Sequence, residues 1–547
     1  MRLLTLLLAF LTSALAANPY RWVFVIRNLQ TDADVAEIRD IARVASEHGL
    51  NGLVLSGGLD RLEKQPPAYI ARLKQVKAIC GQYHLELIPL IFSVGYGGSI
   101  LGFDKNLAEG IPVTDALFVA GHGIARPQPD PPIAFVNGGL EEYTGNKAAG
   151  FRLQEQPGEI SFIDPKIFSE GKASLRFENF TANPYGHGRL MQELAVAPHR
   201  SYRITCQVKT EALEPADAFA IQVLGIDGRS IAPMKLALPS TSEWHRETIA
   251  FNSLDAEKVR LYVGVWGARS GKFWIDDLRI EETGLANVLR RPGTPLTVRG
   301  ESTGLTYEEG ADYGPISDPR LNFRPDHDGP SIIILPTGRI RDGERLRVSF
   351  YQGVGIAKGQ VSVCMSEPKL YEIMAEQARR LHEVLAPQKY LLSMDEIREG
   401  GSDYACKKRG LTMGQILGDC LTKEFNLLRA VNPKAEIFTW SDMLDPNHNA
   451  HGNYYLVDGD FTGSWKYLPH DLRIACWYYE KRKESLAFFS GLGFQTLAAA
   501  YYDQDTLENP KGWLEELSHT PGALGIMYTT WENKYQLLGP FGDLLPR

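Results

Sequence analysis

The sequence lacks the features that mark several classes of protein. Its 547 residues contain only six cysteines, and no two of them have CxxC spacing, so a disulfide-rich scaffold is not indicated. Beyond the N-terminus no stretch approaches the ~20 apolar residues that span a bilayer. Basic residues are not in excess, because 58 Lys and Arg against 66 Asp and Glu give a net charge of −8. Such a chain has no general attraction to nucleic acid or to anionic lipid.

The N-terminus has the pattern of an export signal. Met1 and Arg2 precede apolar and small residues up to Ala16, and Ala14-Leu15-Ala16 places small residues where signal peptidase accepts them. A membrane anchor is the alternative, but this apolar segment is too short for about 30 Å of hydrocarbon. We expect a cleaved signal peptide over residues 1–16, a secreted or periplasmic protein and no membrane insertion. Its cysteines would be buried thiols or one or two disulfides, with the pairing open.

The composition is that of a globular protein rich in turns and flat rings. Hydrophobic residues make up 44% of the chain, and 52 Gly accompany 9 Trp and 23 Tyr. Aromatic faces are suited to the apolar faces of sugars, so this mixture favours a carbohydrate ligand. The length indicates two to four domains.

Short apolar runs alternate with amphipathic stretches in two parts of the chain, residues 18–125 and 361–547. Runs that are apolar on both faces and separated by helices indicate parallel strands covered by helices. The predicted strands are 22–26, 52–55, 85–91, 390–394, 435–440, 474–478, 496–501 and 524–530. Eight such repeats predict an α/β fold, a (β/α)8 TIM barrel with a β-sandwich (jelly-roll) domain inserted after the third strand.

The inserted region, residues 133–285, follows a proline-rich join and shows short β-type runs with almost no helical periodicity. Its segments 135–141, 171–177 and 273–280 resemble those of jelly-roll carbohydrate-binding modules. A β-rich connection, residues 286–360, leads back to the barrel. Because both connections leave the same end of the barrel, we expect the sandwich to pack against the rim formed by the carboxyl ends of the strands.

Residues with chemistry follow six of the predicted strands. They are Arg27 after the first, Asp395 and Glu396 after the fourth, Trp440 and Asp442 at the fifth, Trp477 at the sixth, Tyr501 and Asp503 at the seventh, and Trp531 and Glu532 at the eighth. Each alone has an ordinary explanation, such as a helix N-terminal acid or a core tryptophan. Their convergence on the rim where barrel enzymes hold their sites indicates a functional site.

Glycoside hydrolysis is the chemistry that uses this set. One carboxylic acid protonates the glycosidic oxygen, a second group meets the developing oxocarbenium ion, and aromatic rings hold the pyranose. Adjacent Asp395 and Glu396 can both reach such a site, and repulsion between the two charges raises the pKa of one.

The strand ends resemble those of the family 20 glycoside hydrolases, the β-N-acetylhexosaminidase-like enzymes. In that family an Asp-Glu pair ends the fourth strand; the resemblance makes Glu396 the general acid/base and Asp395 the residue that orients the substrate's 2-acetamido group. It further implies sugar contacts for Arg27, Trp440-Ser441-Asp442, Trp477 and Tyr501-Tyr502-Asp503. Two segments depart from the family pattern, residues 92–97 and the directly adjacent Trp531 and Glu532.

We therefore expect a glycoside hydrolase, exo-acting and retaining on a terminal β-linked N-acetylhexosamine by substrate-assisted catalysis. One alternative is a hydrolase in which Asp503 or Glu532 is a true nucleophile, and another is a non-catalytic glycan-binding protein with a degenerate barrel. The expected partner is an oligosaccharide or glycan. No cofactor and no metal are expected, because His448 and His451 lie in a polar loop without a second cluster of ligands. The sequence leaves the oligomeric state open.

Overall fold

The first described part of the chain builds three parallel strands. The computed structural model describes residues 19–546, and the predicted signal peptide, residues 1–16, lies outside the described residues. The elements are β1 (Tyr20–Ile26), α1 (Asp32–Glu47), β2 (Gly52–Ser56), α2 (Pro67–Gln82), β3 (Glu86–Ile91) and the short α3 (Gly98–Leu101). Helix α1 begins in a capping box of Thr31 and Asp34 and buries Val35, Ile38 and Ile41.

Residues 111–352 form antiparallel β structure. The strands are β4 (Ile111–Gly121), β5 (Ile124–Pro127), β6 (Tyr143–Thr144), β7 (Lys147–Ala148), β8 (Leu153–Gln154), β9 (Ser161–Asp164), β10 (Ser174–Phe177), β11 (Gly188–Ala195), β12 (Ser201–Glu214), β13 (Phe219–Gly225), β14 (Ser242–Asn252), β15 (Lys258–Val265), β16 (Ser270–Glu282), β17 (Thr297–Gly300), β18 (Thr306–Tyr307), β19 (Ile332–Ile333) and β20 (Arg345–Gln352). A five-stranded sheet, β14-β12-β16-β10-β9, and a four-stranded sheet, β13-β15-β11-β8, share one apolar core. We call this pair of sheets the inserted sandwich.

A third antiparallel sheet joins segments that the sequence analysis placed apart. Its order is β18-β17-β20-β4-β5-β19. Strands from residues 111–127, predicted as the end of the first barrel part, thus pair with strands of the β-rich connection. This sheet has its own core, which includes Phe118 and Phe350.

The remaining elements return to parallel strands. They are α4 (Pro368–Leu385), β21 (Lys389–Leu392), β22 (Glu399–Gly400), α5 (Tyr404–Lys407), α6 (Met413–Val431), β23 (Glu436–Trp440), β24 (Leu456–Val457), β25 (Arg473–Cys476), α7 (Arg482–Gly491), β26 (Thr496–Tyr501), α8 (Glu508–Leu517), β27 (Ala523–Thr529) and α9 (Leu538–Asp543). Strands β1-β2-β3-β21-β23-β25-β26-β27 form a closed barrel, and all eight neighbouring pairs are parallel.

The predicted (β/α)8 TIM barrel with a single inserted β-sandwich is wrong as a fold class. The closed parallel barrel is present, but a regular alternation of strand and helix is not, and the chain also contains several antiparallel sheets. Between β23 and β25 the described chain forms only 3-10 turns and the two-residue β24, because residues 441–472 are rich in Pro, Gly and polar residues. Helix is therefore a minor component of the chain.

Aromatic residues fill the inside of the barrel. Trp22, Phe24, Phe438 and Trp440 are buried there together with smaller side chains. The Trp22 and Phe438 rings meet edge to face, with centroids 4.9 Å apart. Gly52 makes room for this packing, since a Cβ at that position would lie 2.4 Å from Trp22 Cδ1. Among residues 19–546, no helix has both the length and the apolar character needed to cross a membrane.

Candidate active site

A cavity of about 550 Å³ opens where the barrel strands end. Residues from β2, β3, β21, β23, β25, β26 and β27, or from the loops that follow these strands, contribute to its wall. The lining residues are Ser56, Gly57, Gly58, Asp60, Leu90, Ile91, Ser93, Tyr96, Ser393, Asp395, Glu396, Trp440, Trp477, Tyr502 and Trp531. Five of the residues singled out in the sequence line it: Asp395, Glu396, Trp440, Trp477 and Trp531.

Glu396 is held at the cavity by contacts from several distant parts of the chain. Its backbone has a φ of 47°, in the left-handed region, and its N–H donates to Asp442 Oδ2 at 2.9 Å. Its carboxylate accepts a hydrogen bond from the Tyr96 hydroxyl and lies 2.7 Å from the Arg398 guanidinium. A non-glycine residue in this conformation is strained, and such strain persists where the surrounding contacts fix it.

The backbone around Glu396 is packed against the loop after β3. A Cβ on Gly95 would lie 2.3 Å from the Asp395 carbonyl oxygen, so only glycine allows this approach. Gln360 bridges the same two segments, because its Nε2 donates to the Gly95 carbonyl at 2.9 Å and to the Glu396 carbonyl at 2.7 Å. The glycine-rich segment 353–359 thus precedes a residue that fixes the loop of Glu396.

Two carboxyls with raised pKa values lie beside Glu396, the half-buried Asp395 and the fully buried Asp442. Burial raises the pKa of Asp395 to about 6, and its Oδ1 accepts a hydrogen bond from Ser393 Oγ at 3.0 Å. Burial raises the pKa of Asp442 to about 7, and the nearby charge of Asp395 adds to this effect. Asp442 is fully buried behind the cavity and is not one of its lining residues.

Asp442 organises the back of the site through three donors. Its Oδ2 accepts from Glu396 N–H and from Asn449 Nδ2 at 3.0 Å, and its Oδ1 faces Trp477 Nε1 at 3.4 Å. The same carboxylate therefore positions the loop of Glu396 and one aromatic wall. Asp442 does not line the cavity, and the sugar contact that the resemblance implies for it stays a prediction.

Aromatic rings form the walls. The Trp477 and Tyr502 rings are parallel within 3°, with centroids 5.7 Å apart. Trp531, which is 41% exposed, lies 6.2 Å from Trp440, which is 2% exposed. Trp440 thus forms the floor, while Trp531 and Tyr502 are open to a ligand. Flat apolar surfaces of this kind bind the apolar faces of pyranose rings.

The end of β26 departs from the alternation of a strand. Tyr501, Tyr502 and Asp503 have φ values of 83°, 58° and 61°, three successive non-glycine residues in the left-handed region. Tyr501 is fully buried and stacks on Tyr528 with centroids 4.1 Å apart, in the layer outside the barrel. The next residue, Tyr502, lines the cavity in its place.

Besides Asp442, four predicted site residues lie outside the set that lines the cavity: Arg27, Tyr501, Asp503 and Glu532. Arg27 pairs with Glu37 at 2.7 Å and donates to Asn533. Asp503 accepts from the N–H of Trp531 at 2.7 Å and of Glu532 at 3.3 Å, so it holds the loop that carries Trp531. Glu532 is exposed and pairs with Lys534 at 2.8 Å.

Other lining residues were not foreseen as site residues. Tyr96 belongs to the segment that departs from the family pattern, and nothing local predicts its contact with Glu396, 300 residues away. Asp60 lies four residues after the end of β2, and the position of an acidic residue shortly after a barrel strand could have marked it as a site residue. Burial raises the pKa of Asp60, and its Oδ2 accepts from Ser99 Oγ at 2.6 Å.

A separate cluster contains groups able to bind a metal. Glu109, Cys364, Asp403 and Cys406 are buried, and their ligand atoms lie within 4.8 Å of one another. The two sulfur atoms are 3.7 Å apart, and all six cysteines of the chain are free thiols. Asp403 is also paired with Arg291 at 2.6 Å, which opposes a second cation. None of the four residues lines the active-site cavity.

His448 packs against the aromatic wall. Its ring lies 4.3 Å from that of Trp477 and 4.5 Å from that of Tyr478. Burial lowers the pKa of His448 to about 4, so the ring is neutral at ordinary pH. A neutral ring in edge and stacking contacts acts as a packing residue.

The inserted sandwich contacts loops at this end of the barrel, as the chain connections predict. Lys235 N–H donates to the Ala357 carbonyl at 3.0 Å. Arg229 Nη2 donates to the Tyr455 carbonyl at 3.1 Å, in the loop after β23.

Comparison with known proteins gives structural similarity only. No family model matches the sequence, and no curated protein matches it. A rhamnosidase from Novosphingobium sp. PP1Y is 13% identical, with 95% of this chain aligned to 56% of that chain at a TM-score of 0.32. A β-N-acetylhexosaminidase from Bacteroides fragilis NCTC 9343 is 12% identical over 34% of this chain and 42% of its own, with a TM-score of 0.23.

A smaller neighbour corresponds to one part of the chain. TmCBM61, solved in complex with β-1,4-galactotriose, is 16% identical over 28% of this chain and 99% of its own, with a TM-score of 0.22. This chain spans only about half the length of the rhamnosidase. Similarity at this level does not place the chain in a family.

Proposed function

We propose that the protein is an exported glycoside hydrolase that removes a terminal β-linked N-acetylhexosamine with retention of configuration. The observation that carries the proposal is the Asp395-Glu396 pair at a cavity with aromatic walls. A carboxyl group beside stacked rings at the carboxyl ends of barrel strands is the arrangement that sugar hydrolysis requires. The N-terminal apolar run supports export.

Glu396 is the general acid/base of the proposed reaction. In the first step its carboxylic acid gives a proton to the glycosidic oxygen as the bond from that oxygen to the anomeric carbon breaks. In the second step its carboxylate takes a proton from the water that attacks the anomeric carbon. Arg398 and Tyr96 both contact this side chain, and they fix its position in either state.

The substrate's own acetamido oxygen supplies the nucleophile. It bonds to the anomeric carbon as the leaving group departs, giving a cyclic intermediate that water then opens. Asp395, next to Glu396 in the cavity, accepts the acetamido N–H and stabilises the positive charge of this intermediate. The placement of Asp503 and Glu532 away from the cavity favours this route over an enzyme nucleophile at either position.

The test is a set of aryl glycosides that differ in the 2-substituent. We expect hydrolysis of the 2-acetamido sugar, strong inhibition by a thiazoline mimic of the cyclic intermediate, and little hydrolysis of the 2-hydroxyl sugar. A covalent adduct with a fluorosugar, located by mass spectrometry, would refute substrate assistance; Asp60 is the further carboxyl in the cavity on which an adduct could form.

The variant Glu396→Gln tests the acid. We expect a loss of about 10²- to 10⁴-fold in kcat/KM on substrates with poor leaving groups, because leaving-group protonation is lost. Substrates with good leaving groups should lose less. The matched control is Glu532→Gln, which removes a carboxylate at an exposed site outside the cavity and should keep its activity. Equal activity of both variants on a poor leaving group would place the acid elsewhere.

A further inference from the structure

A second cavity, of about 750 Å³, adjoins the active-site cavity. The two share Tyr96, whose hydroxyl contacts Glu396, and Arg398 lines the second cavity while pairing with Glu396. We call it the basic cavity. A ligand that extends from Glu396 past Tyr96 would reach the basic cavity.

The charge of the basic cavity is of one sign. Lys105, Lys235, Lys358 and Arg398 line it, and among the described residues of its wall there is no Asp or Glu. This contrasts with the net charge of −8 for the whole chain. A concave surface lined by one sign of charge concentrates ligands of the opposite sign.

The three lysines are available for a ligand. Arg398 is neutralised by Glu396 at 2.7 Å, but within residues 19–546 none of the three lysines forms an ion pair. Many other basic residues of the chain are paired. For example, Asp104, which precedes Lys105 in the sequence, pairs with Lys369 at 2.6 Å. The repulsion among three unpaired cations is relieved when an anion binds between them.

The lysines come from three separate segments that the fold fixes relative to Glu396. Lys105 lies between α3 and β4, Lys235 lies in the loop of the inserted sandwich between β13 and β14, and Lys358 lies at the end of the β-rich connection. The Lys235 N–H donates to the Ala357 carbonyl at 3.0 Å, which joins the sandwich to the segment of Lys358. Gln360 then ties that segment to the Glu396 carbonyl at 2.7 Å.

We propose that the basic cavity binds anionic substituents of the glycan, carboxylate or sulfate ester groups on the sugars next to the one that is cleaved. This inference rests on the proposed function and names the substrate class as an acidic glycan. The lysines act as binding residues for the substrate's charge, and the inserted sandwich contributes to recognition through Lys235. Lysine, a compact point charge with three donors, suits either kind of anion.

The experiment compares substrates and variants together. The substrates are a neutral aryl glycoside, a neutral oligosaccharide and the same oligosaccharide bearing either a carboxylate or a sulfate ester. The test variant carries Lys105→Gln, Lys235→Gln and Lys358→Gln. The control variant carries the same change at Lys166, Lys434 and Lys466, exposed lysines that do not line the basic cavity.

We expect the test variant to lose about tenfold or more in kcat/KM on the acidic oligosaccharides, with smaller loss at high salt. Its activity on the neutral aryl glycoside should stay within about twofold of the parent, as should the control variant on every substrate. The preference between carboxylate and sulfate identifies the anion. Equal loss on neutral and acidic substrates, or no loss on either acidic one, would overturn the proposal.

Binding separates this proposal from the proposed function. Calorimetric titration of the parent protein with the acidic and neutral oligosaccharides requires no turnover. Binding of the acidic oligosaccharide that the test variant loses would support the basic cavity even if no hydrolysis of any glycoside is seen. Equal affinity of the parent for acidic and neutral oligosaccharides would overturn the basic cavity while leaving the hydrolase proposal intact.

Discussion

The variant Asp442→Asn tests whether this buried carboxylate positions the site. Asp442 accepts N–H groups from Glu396, Asn449 and Trp477, so its two oxygens face donors only. An asparagine keeps one acceptor oxygen, which can serve Glu396 and Asn449. Its NH2 group then faces the Trp477 N–H, donor against donor, 3.4 Å away in the parent geometry.

The size of the effect follows from that mismatch. A buried donor without a partner costs about 1–3 kcal/mol. If the site relaxes by turning Trp477 away from Tyr502, the ring wall is lost and kcat/KM falls by roughly 5- to 150-fold, the rate equivalent of that energy. Activity on an aryl 2-acetamido glycoside gives this number, and near-ultraviolet circular dichroism reports the displaced tryptophan.

The pH profile gives a second readout with a defined sign. Burial raises the pKa of Asp395 to about 6, so the ionised form that the mechanism needs is lost as the pH falls below that value. Burial raises the pKa of Asp442 further, to about 7, so this carboxyl is already neutral where Asp395 takes up its proton, and asparagine resembles the neutral form. The limb set by Asp395 should therefore stay near pH 6 in Asp442→Asn. The fall in kcat/KM as the pH drops through 7, where the Asp442 carboxylate takes up a proton, should be absent from Asp442→Asn and present in Glu532→Gln. A fall near pH 7 that persists in Asp442→Asn, together with an unchanged tryptophan signal, would refute the positioning role.

Two further predictions concern other parts of the molecule. Tyr501→Phe should leave kcat/KM within about twofold, whereas Tyr502→Leu should raise KM because a wall of the cavity is lost; steady-state kinetics that reverse this order would contradict the placement of the two rings. Burial raises the pKa of Glu109 from 4.5 to about 8, so its contribution to stability is present below pH 4.5 and is lost as the pH rises toward 8. Glu109→Gln should flatten the fall in Tm between pH 5 and 8, and a fall as steep as in the parent would contradict this assignment.

The strand ends were predictable where side-chain alternation holds up to the end of the strand. Trp440 and Trp477 follow runs that are apolar on both faces, and both line the cavity as the sequence predicts. At β26 the alternation fails, because the left-handed conformations of Tyr501 and Tyr502 exchange which ring faces the cavity. The alternation of apolar and polar residues along a strand cannot predict that Tyr502, and not Tyr501, faces the cavity.

Other site contacts depend on pairings between distant residues. Arg27 and Asp503 have the residue types of sugar ligands, but Glu37 and the backbone of Trp531 occupy them. Tyr96 acquires its place from a contact with Glu396 across 300 residues. The residues next to Arg27, Asp503 and Tyr96 in the sequence do not indicate which distant residues these side chains contact.

The fold class was missed for a related reason. The eight parallel strands have strong apolar runs, whereas residues 111–127 and 345–352 find each other as antiparallel partners only in three dimensions. No α-helix lies between β23 and β25, because residues 441–472 have the composition of a loop. The expectation of a helix after every strand left this composition out of account.

The connection of Gln360 to Gly95 and Glu396 has a consequence for how the protein folds. Glu396 is held by Gln360, which also binds Gly95, 265 residues earlier in the chain. The neighbouring barrel strands β3 and β21 are likewise separated in sequence by all the antiparallel sheets. Closing a loop of this length is unfavourable until the chain between its ends has become compact. The antiparallel sheets would thus form before the barrel closes. A chain emerging from synthesis would complete the cavity around Glu396 among the last steps, after the inserted sandwich has its own core.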